Sequence, residues 1–193
     1  MIKTYVAFDL ETTGLSEEND QIIEIGAVKV QEGKVTDRFM QFLRPDEPIS
    51  PAITYITGIT NEMVANARNT ETVVQEFVQF CDGYMMLGHN IMFDYKFMKR
   101  YAGKYGLPFE REGLDTLKIA RKIHKDLKSK SLESLCSYYE IYSFYVFDFI
   151  RSSLGIASDG RYHCLGILSF YFSYELSAFF VTEICYGTCI DYI

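Results

Sequence analysis

Asp9 and Glu11 stand two residues apart in the stretch Phe8-Asp9-Leu10-Glu11-Thr12-Thr13-Gly14. On a β-strand that spacing puts both carboxylates on one face, roughly 6–7 Å apart. Their neighbours Val6, Ala7, Phe8 and Leu10 are apolar. Two like charges at the end of a buried strand repel, so one is neutralised unless a cation sits between them. Hard divalent ions such as Mg²⁺ or Mn²⁺ suit such an oxygen pair. The Thr-Thr-Gly that follows supplies hydroxyls and a backbone that a ligand can approach closely.

A second group lies in Gly88-His89-Asn90-Ile91-Met92-Phe93-Asp94. Here a strand ends and a helix begins, and strand ends in open α/β sheets are common ligand sites. Asp94 falls in the first turns of the helix, where the dipole tolerates its charge. Alone, Asp94 reads equally as a helix-start acid or a metal ligand, and His89 reads more readily as structural. The Asp9–Glu11 pair tips the second group towards function.

The elements that must position these groups are legible in the pattern. Lys3 to Leu10 is an apolar run expected as a buried strand. Gln21 to Val30 and Lys34 to Leu43 read as two more strands, joined by a tight loop at Gln31-Glu32-Gly33. Thr60 and Thr70 are expected N-caps of short helices. The second of these carries Val73, Val74, Phe77, Val78 and Cys81 at helical spacing. Tyr84 to Leu87 reads as a short strand. Asn90 to Gly103 reads as a helix with Phe93, Phe97, Met98 and Tyr101 inward. Leu114 to Ile123 and Ser131 to Tyr139 are expected to be helical. Three strands followed by alternating strands and helices imply an α/β fold, a mixed sheet flanked by helices.

FDLETTG followed by GHNIMFD resembles the first two exonuclease motifs of the DEDD family. The proofreading type, found in the epsilon subunit of bacterial DNA polymerase III and in the Gram-positive replicative polymerase, is the nearer match. Phe42-Leu43-Arg44-Pro45, Ile53 to Thr60, Asn61-Glu62-Met63, Asp115-Thr116-Leu117 and Ser131 to Leu135 resemble further stretches of it. The resemblance runs over about residues 3–141. It implies a ribonuclease-H-like fold and hydrolysis of phosphodiester bonds at DNA 3′ ends, in the direction 3′ to 5′. It also implies two divalent metal ions, Mg²⁺ or Mn²⁺, about 4 Å apart. Asp9 would bridge both ions, Glu11 would bind the nucleophile-side ion, and Asp94 would hold the second. Leu10, Thr12, Gly14 and Leu15 would line the terminal-nucleotide pocket, with Asn90 and Phe93 at the sugar or the next nucleotide. The implied partners are a single-stranded DNA 3′ end, with RNA as the alternative strand, and a DNA polymerase.

The family's third motif, a His five residues before an Asp or a Tyr four before it, is not found. His163 is followed five residues later by Leu168. Asp159 is the best-placed acid and is taken as the fourth catalytic and metal-binding carboxylate. Leu154 and Gly155 stand where the His or Tyr would be. Loss of a general base costs about 10²–10⁴ in rate. A catalytically impaired module that binds nucleic acid or a polymerase is therefore the alternative to an active enzyme.

Composition divides the chain at the same place. All 11 lysines and all four prolines precede residue 142, and 14 of the last 52 residues are Phe or Tyr. The expected organisation is an exonuclease-like domain over 1–141 and an atypical tail over 142–193. Divergence, a shifted reading frame, or a separate partner or membrane role would each account for that tail. Leu165 to Ile184 is long enough to cross a bilayer, but Glu175 and several hydroxyl residues interrupt it, so no membrane contact is expected. The net charge of −7 argues against a broad basic DNA-wrapping surface. Five cysteines without zinc spacing, and no leader-peptide layout at the start, fit a reducing cytoplasm.

Overall fold

The computed structural model describes residues 3–139. Its strands are β1 (Tyr5–Thr12), β2 (Ile22–Gln31) and β3 (Lys34–Phe42), followed by short helices α1 (Pro51–Thr57) and α2 (Asn61–Val64). Helix α3 (Thr70–Phe80), strand β4 (Met86–Gly88) and helix α4 (Met92–Lys104) come next. Strand β5 (Gly113–Asp115), α5 (Thr116–Ile123) and α6 (Leu132–Tyr138) complete the described chain.

The sheet order is β3-β2-β1-β4-β5. β1, β2 and β3 form an antiparallel meander, whereas β4 and β5 run parallel to β1. The expected mixed sheet flanked by helices is the fold observed. Its polarity is what gathers the site. The carboxyl ends of β1, β4 and β5 meet at one end of the sheet, and the start of antiparallel β2 returns to that same end.

Alternation along β1 sends Val6, Phe8 and Leu10 into the main core with Phe77 of α3 and Phe97 and Met98 of α4. Tyr5 and Ala7 join Val28, Val30 and Leu87 in a second cluster. Phe77 packs against Phe8 and Phe39 at ring separations of 5.7 and 5.4 Å. Each such large buried ring contributes on the order of 3 kcal/mol.

Four local expectations need correction. α3 is capped by Asn69, whose side chain accepts from Thr72 N–H, so Thr70 is its first residue and not its cap. α1 is a helix that periodicity over seven residues could not show, although Ser50 accepting from Ile53 N–H and Pro51 at its start are helix-start signals. Leu114 belongs to β5 and not to the helix, because Met86, Leu87 and Gly88 pair with Gly113, Leu114 and Asp115. β1 continues to Thr12, so Glu11 lies within the strand. Thr60 does cap α2, accepting from Met63 N–H. Among the described residues no helix is long and apolar enough to cross a membrane. The stretch Leu165 to Ile184 and the tail as a whole lie outside the described residues.

Candidate active site

Asp9 and Glu11 project from one face of β1, as their spacing requires. Asp9 lies opposite Gly26 and Glu11 opposite Glu24 on β2. The register slips between Glu11 and Thr12, a bulge of the kind that re-aims side chains beside sites. Asp94, in the first turn of α4, is buried and only 3 % exposed. Its Oδ1 accepts the Leu10 N–H at 3.1 Å. Leu10 sits between Asp9 and Glu11, so this bond fastens the helix acid to the strand acids. Both strand acids repel Asp94.

Glu24 is a fourth member that sequence reading missed. It is 4 % exposed. A single acid inside the apolar run Ile22-Ile23-Glu24-Ile25 was the available signal, but only the cross-strand register shows what it faces. Burial, then repulsion by Asp9 and Glu24, pushes Glu11 from the ordinary 4.5 up to about 8. Burial and Asp9 push Glu24 from 4.5 to about 7. Asp94 is driven well above the usual carboxylate range by burial and by Asp9, against the pull of the Leu10 N–H. The ion pairs Arg68–Glu76, Lys96–Glu17, Lys99–Glu110 and Arg111–Asp82 involve none of Glu11, Glu24 and Asp94.

The all-oxygen donor set fits hard divalent cations. Among the described residues no group of three or more His, Cys, Asp or Glu side chains is arranged so that it could hold a metal ion. Asp9, Glu11 and Asp94 lie near enough to raise one another's proton affinity. Asp159 lies outside the described residues.

The loop after β1 is built around Asp20. Its carboxylate accepts from Ser16 N–H at 2.9 Å and from the Thr13 hydroxyl at 3.4 Å. A Cβ on Gly14 would fall 2.4 Å from that carboxylate, so any side chain there must displace the group that ties the loop. The Arg100 guanidinium of α4 donates to the carbonyls of Glu18 and Asp20 at 2.8 and 2.6 Å. Lys96 pairs with Glu17 at 3.3 Å. The clasp presents Leu15 at 85 % exposure. Thr12 is buried and donates to Gly14 O at 2.6 Å. Leu10 does not line a pocket with its side chain, which is in the core; it offers the site its N–H.

The second motif is held from β5 and α5. Asn90 adopts φ 64°, a left-handed conformation uncommon outside glycine. Its N–H donates to Asp115 Oδ1 at 2.9 Å, and the same oxygen caps α5 by accepting from Leu117 and Lys118. The Asn90 side chain is left exposed and Phe93 half-buried, 5.0 Å from the Phe97 ring. Thr116 Oγ1 donates to Gly88 O at 3.2 Å and lies 3.0 Å from His89 Nδ1. His89 also hydrogen-bonds the Lys130 backbone, and burial lowers its proton affinity. His124 is engaged with Tyr139. Neither histidine is placed as a base at the acidic pocket.

The family model described as Exonuclease (RNase_T) matches residues 6–144. The chain belongs to the exonuclease family. It is 45 % identical over 137 residues to the DNA polymerase III PolC-type of Caldanaerobacter subterraneus subsp. tengcongensis, covering 71 % of this chain and 10 % of that protein. The corresponding protein of Thermotoga maritima is 44 % identical over 133 residues, covering 68 % of this chain and 10 % of its own length. The chain thus spans about a tenth of these curated relatives. Exonuclease X in complex with 5′ overhanging duplex DNA superposes with TM-score 0.61 at 23 % identity, covering 92 % of each chain. A structure of exonuclease I reaches TM-score 0.70 at 15 % identity, over 95 % of this chain and 42 % of that one. This is therefore an exonuclease domain with a ribonuclease-H-like fold, in a family of metal-dependent hydrolytic nucleases.

Proposed function

We propose that the chain removes nucleotides from the 3′ end of single-stranded DNA by phosphodiester hydrolysis, with Asp9, Glu11 and Asp94 holding two Mg²⁺ or Mn²⁺ ions. The observation that supports this reading is the convergence of a buried Asp94 with the strand acids Asp9 and Glu11, tied together by the Leu10 N–H. Ions bound there would activate water and stabilise the departing 3′ oxygen. The protein's own groups do the positioning. The Leu10 N–H fixes Asp94, and the Arg100 clasp holds out Leu15 as an apolar surface for the terminal base. Asn90, turned outward by Asp115, is available to a sugar or phosphate oxygen, and Phe93 offers a ring edge beside it. Asp159 is the candidate fourth carboxylate. The relatives' names support a polymerase context, and with it a cytoplasmic site of action on replicating DNA. We take residues 1–141 as the exonuclease unit and 142–193 as a compositionally atypical tail.

A second reading rests on one observation: no His-x4-Asp follows α6 in the sequence. It makes the chain a module that grips a 3′ end with metal and cleaves slowly or not at all. The assay is release of nucleoside monophosphates from a 5′-labelled single-stranded oligonucleotide in Mg²⁺ and in Mn²⁺, beside the matched RNA. Release that Asp9→Ala abolishes supports the enzyme. Metal-dependent binding without release supports the module. Neither binding nor release rejects both.

A further inference from the structure

From Thr116 to Lys130 the chain carries six basic residues and one acid, within a protein of net charge −7. Lys118, Arg121 and Lys122 occupy positions i, i+3 and i+4 of α5, which is one helix face. All three are exposed, whereas Thr116 and Ala120 are buried on the opposite side. The cations elsewhere on the α3–α4 side are largely neutralised: Arg68 by Glu76, Lys96 by Glu17, Lys99 by Glu110 and Arg111 by Asp82. Lys118, Arg121 and Lys122 have no ion-pair partner among the described residues.

This face adjoins the site through direct bonds. The Lys118 N–H shares Asp115 Oδ1 with the Asn90 N–H. Arg121 lies near enough to His89 to disfavour its cation, and His89 hydrogen-bonds the Lys130 backbone. Between α4 and α5 opens a cavity of about 300 Å³ whose lining is mostly apolar, Ile91, Met92 and Ile119 among it, with Lys118 and Lys122 beside them. A row of exposed cations leading away from Asn90, without ion-pair partners among the described residues, suits an extended polyanion.

We infer that the Lys118–Arg121–Lys122 face of α5 is a phosphate track for the strand 5′ of the terminal nucleotide, carrying its backbone away from the acidic pocket past Asn90. The inference rests on the nucleic-acid reading of the site and extends it: the acids take the end of the strand, and the α5 cations take the phosphates behind it. The contacts are to backbone charge, so the track does not discriminate between bases.

The test is fluorescence-anisotropy binding of the full chain to a labelled single-stranded DNA oligonucleotide in Ca²⁺, over a range of salt. The variants are Lys118→Gln/Arg121→Gln/Lys122→Gln and, as a charge-matched control, Lys34→Gln/Arg38→Gln/Lys104→Gln, two of whose sites lie at the opposite sheet edge. Three lost phosphate contacts flatten the slope of log affinity against log salt by about 2 in the α5 variant, with the control slope as in the wild type. Hydrolysis of a nucleotide ester that fills only the terminal pocket stays unchanged in the α5 variant. Equal slopes in wild type and α5 variant, or equal flattening in both variants, overturn the track. The two readings fail separately: nucleotide release without the slope change rejects the track alone, and the slope change without release rejects catalysis alone.

Discussion

The acidic pocket and the basic face of α5 are neighbours, bridged by Asp115, and they treat charge in opposite ways. At the pocket, Glu24 and Asp94 are 4 % and 3 % exposed and face other acids. On α5, Lys118, Arg121 and Lys122 keep their water. A buried carboxylate among like charges holds its proton until a cation replaces it. An exposed lysine costs the fold almost nothing and waits for a polyanion. Burial therefore separates the groups proposed to hold metal from those proposed to steer a strand.

The largest expected effect comes from removing the centre of the pocket. Asp9→Ala should lower any nucleotide release about 10³-fold or more while leaving the circular dichroism of the fold intact. A loss below tenfold would mean that Asp9 is not shared by the reacting groups. Next comes stability against pH in the absence of metal. Glu11 and Glu24 have raised proton affinities in the folded state, so the folded chain binds more protons than the unfolded chain between 4.5 and about 8 for Glu11, and between 4.5 and about 7 for Glu24. Stability is then fullest below pH 4.5 for these groups and is lost as pH rises through that window. The Glu24 contribution is about 3 kcal/mol. Thermal melts should fall from pH 5 to pH 8, Mn²⁺ should restore the melting temperature at pH 8, and Glu24→Gln should flatten the profile. A melt that rises with pH would contradict the burial.

A smaller effect tests the bridge between the two regions. Asp115→Ala removes the α5 cap and the Asn90 tie, and should cost about 1–2 kcal/mol in chemical denaturation. KM for an oligonucleotide should rise more than kcat falls, with Asp115→Asn partly restoring both. Smallest is Leu15→Ala. An 85 % exposed side chain contributes within about 0.5 kcal/mol to stability, so the melt should not move. An unchanged KM would show that Leu15 does not meet the substrate.

Strand parity alone put Asp9 and Glu11 on one face, and the strand-to-helix transition at Gly88–Asp94 put Asp94 near a sheet end. Those readings survive because they depend on spacing within one element. Helical spacing of Val73, Val74, Phe77 and Val78 likewise located α3 and its buried face. The short elements escaped: three residues of β5 carry no period, and their strand character exists only through pairing with β4.

Local chemistry in the sequence thus determined the first carboxylates, the strands and helices that bear them, and the abrupt change near residue 142. The tertiary structure alone decided that Glu24 lies opposite Glu11 and that Asp115 joins Asn90 to the start of α5. Each of these depends on which backbone groups pair across β1–β2, β1–β4 and β4–β5. Pairing between distant segments is set by how the whole sheet buries its two faces, a sum over many contacts that no short stretch of residues carries.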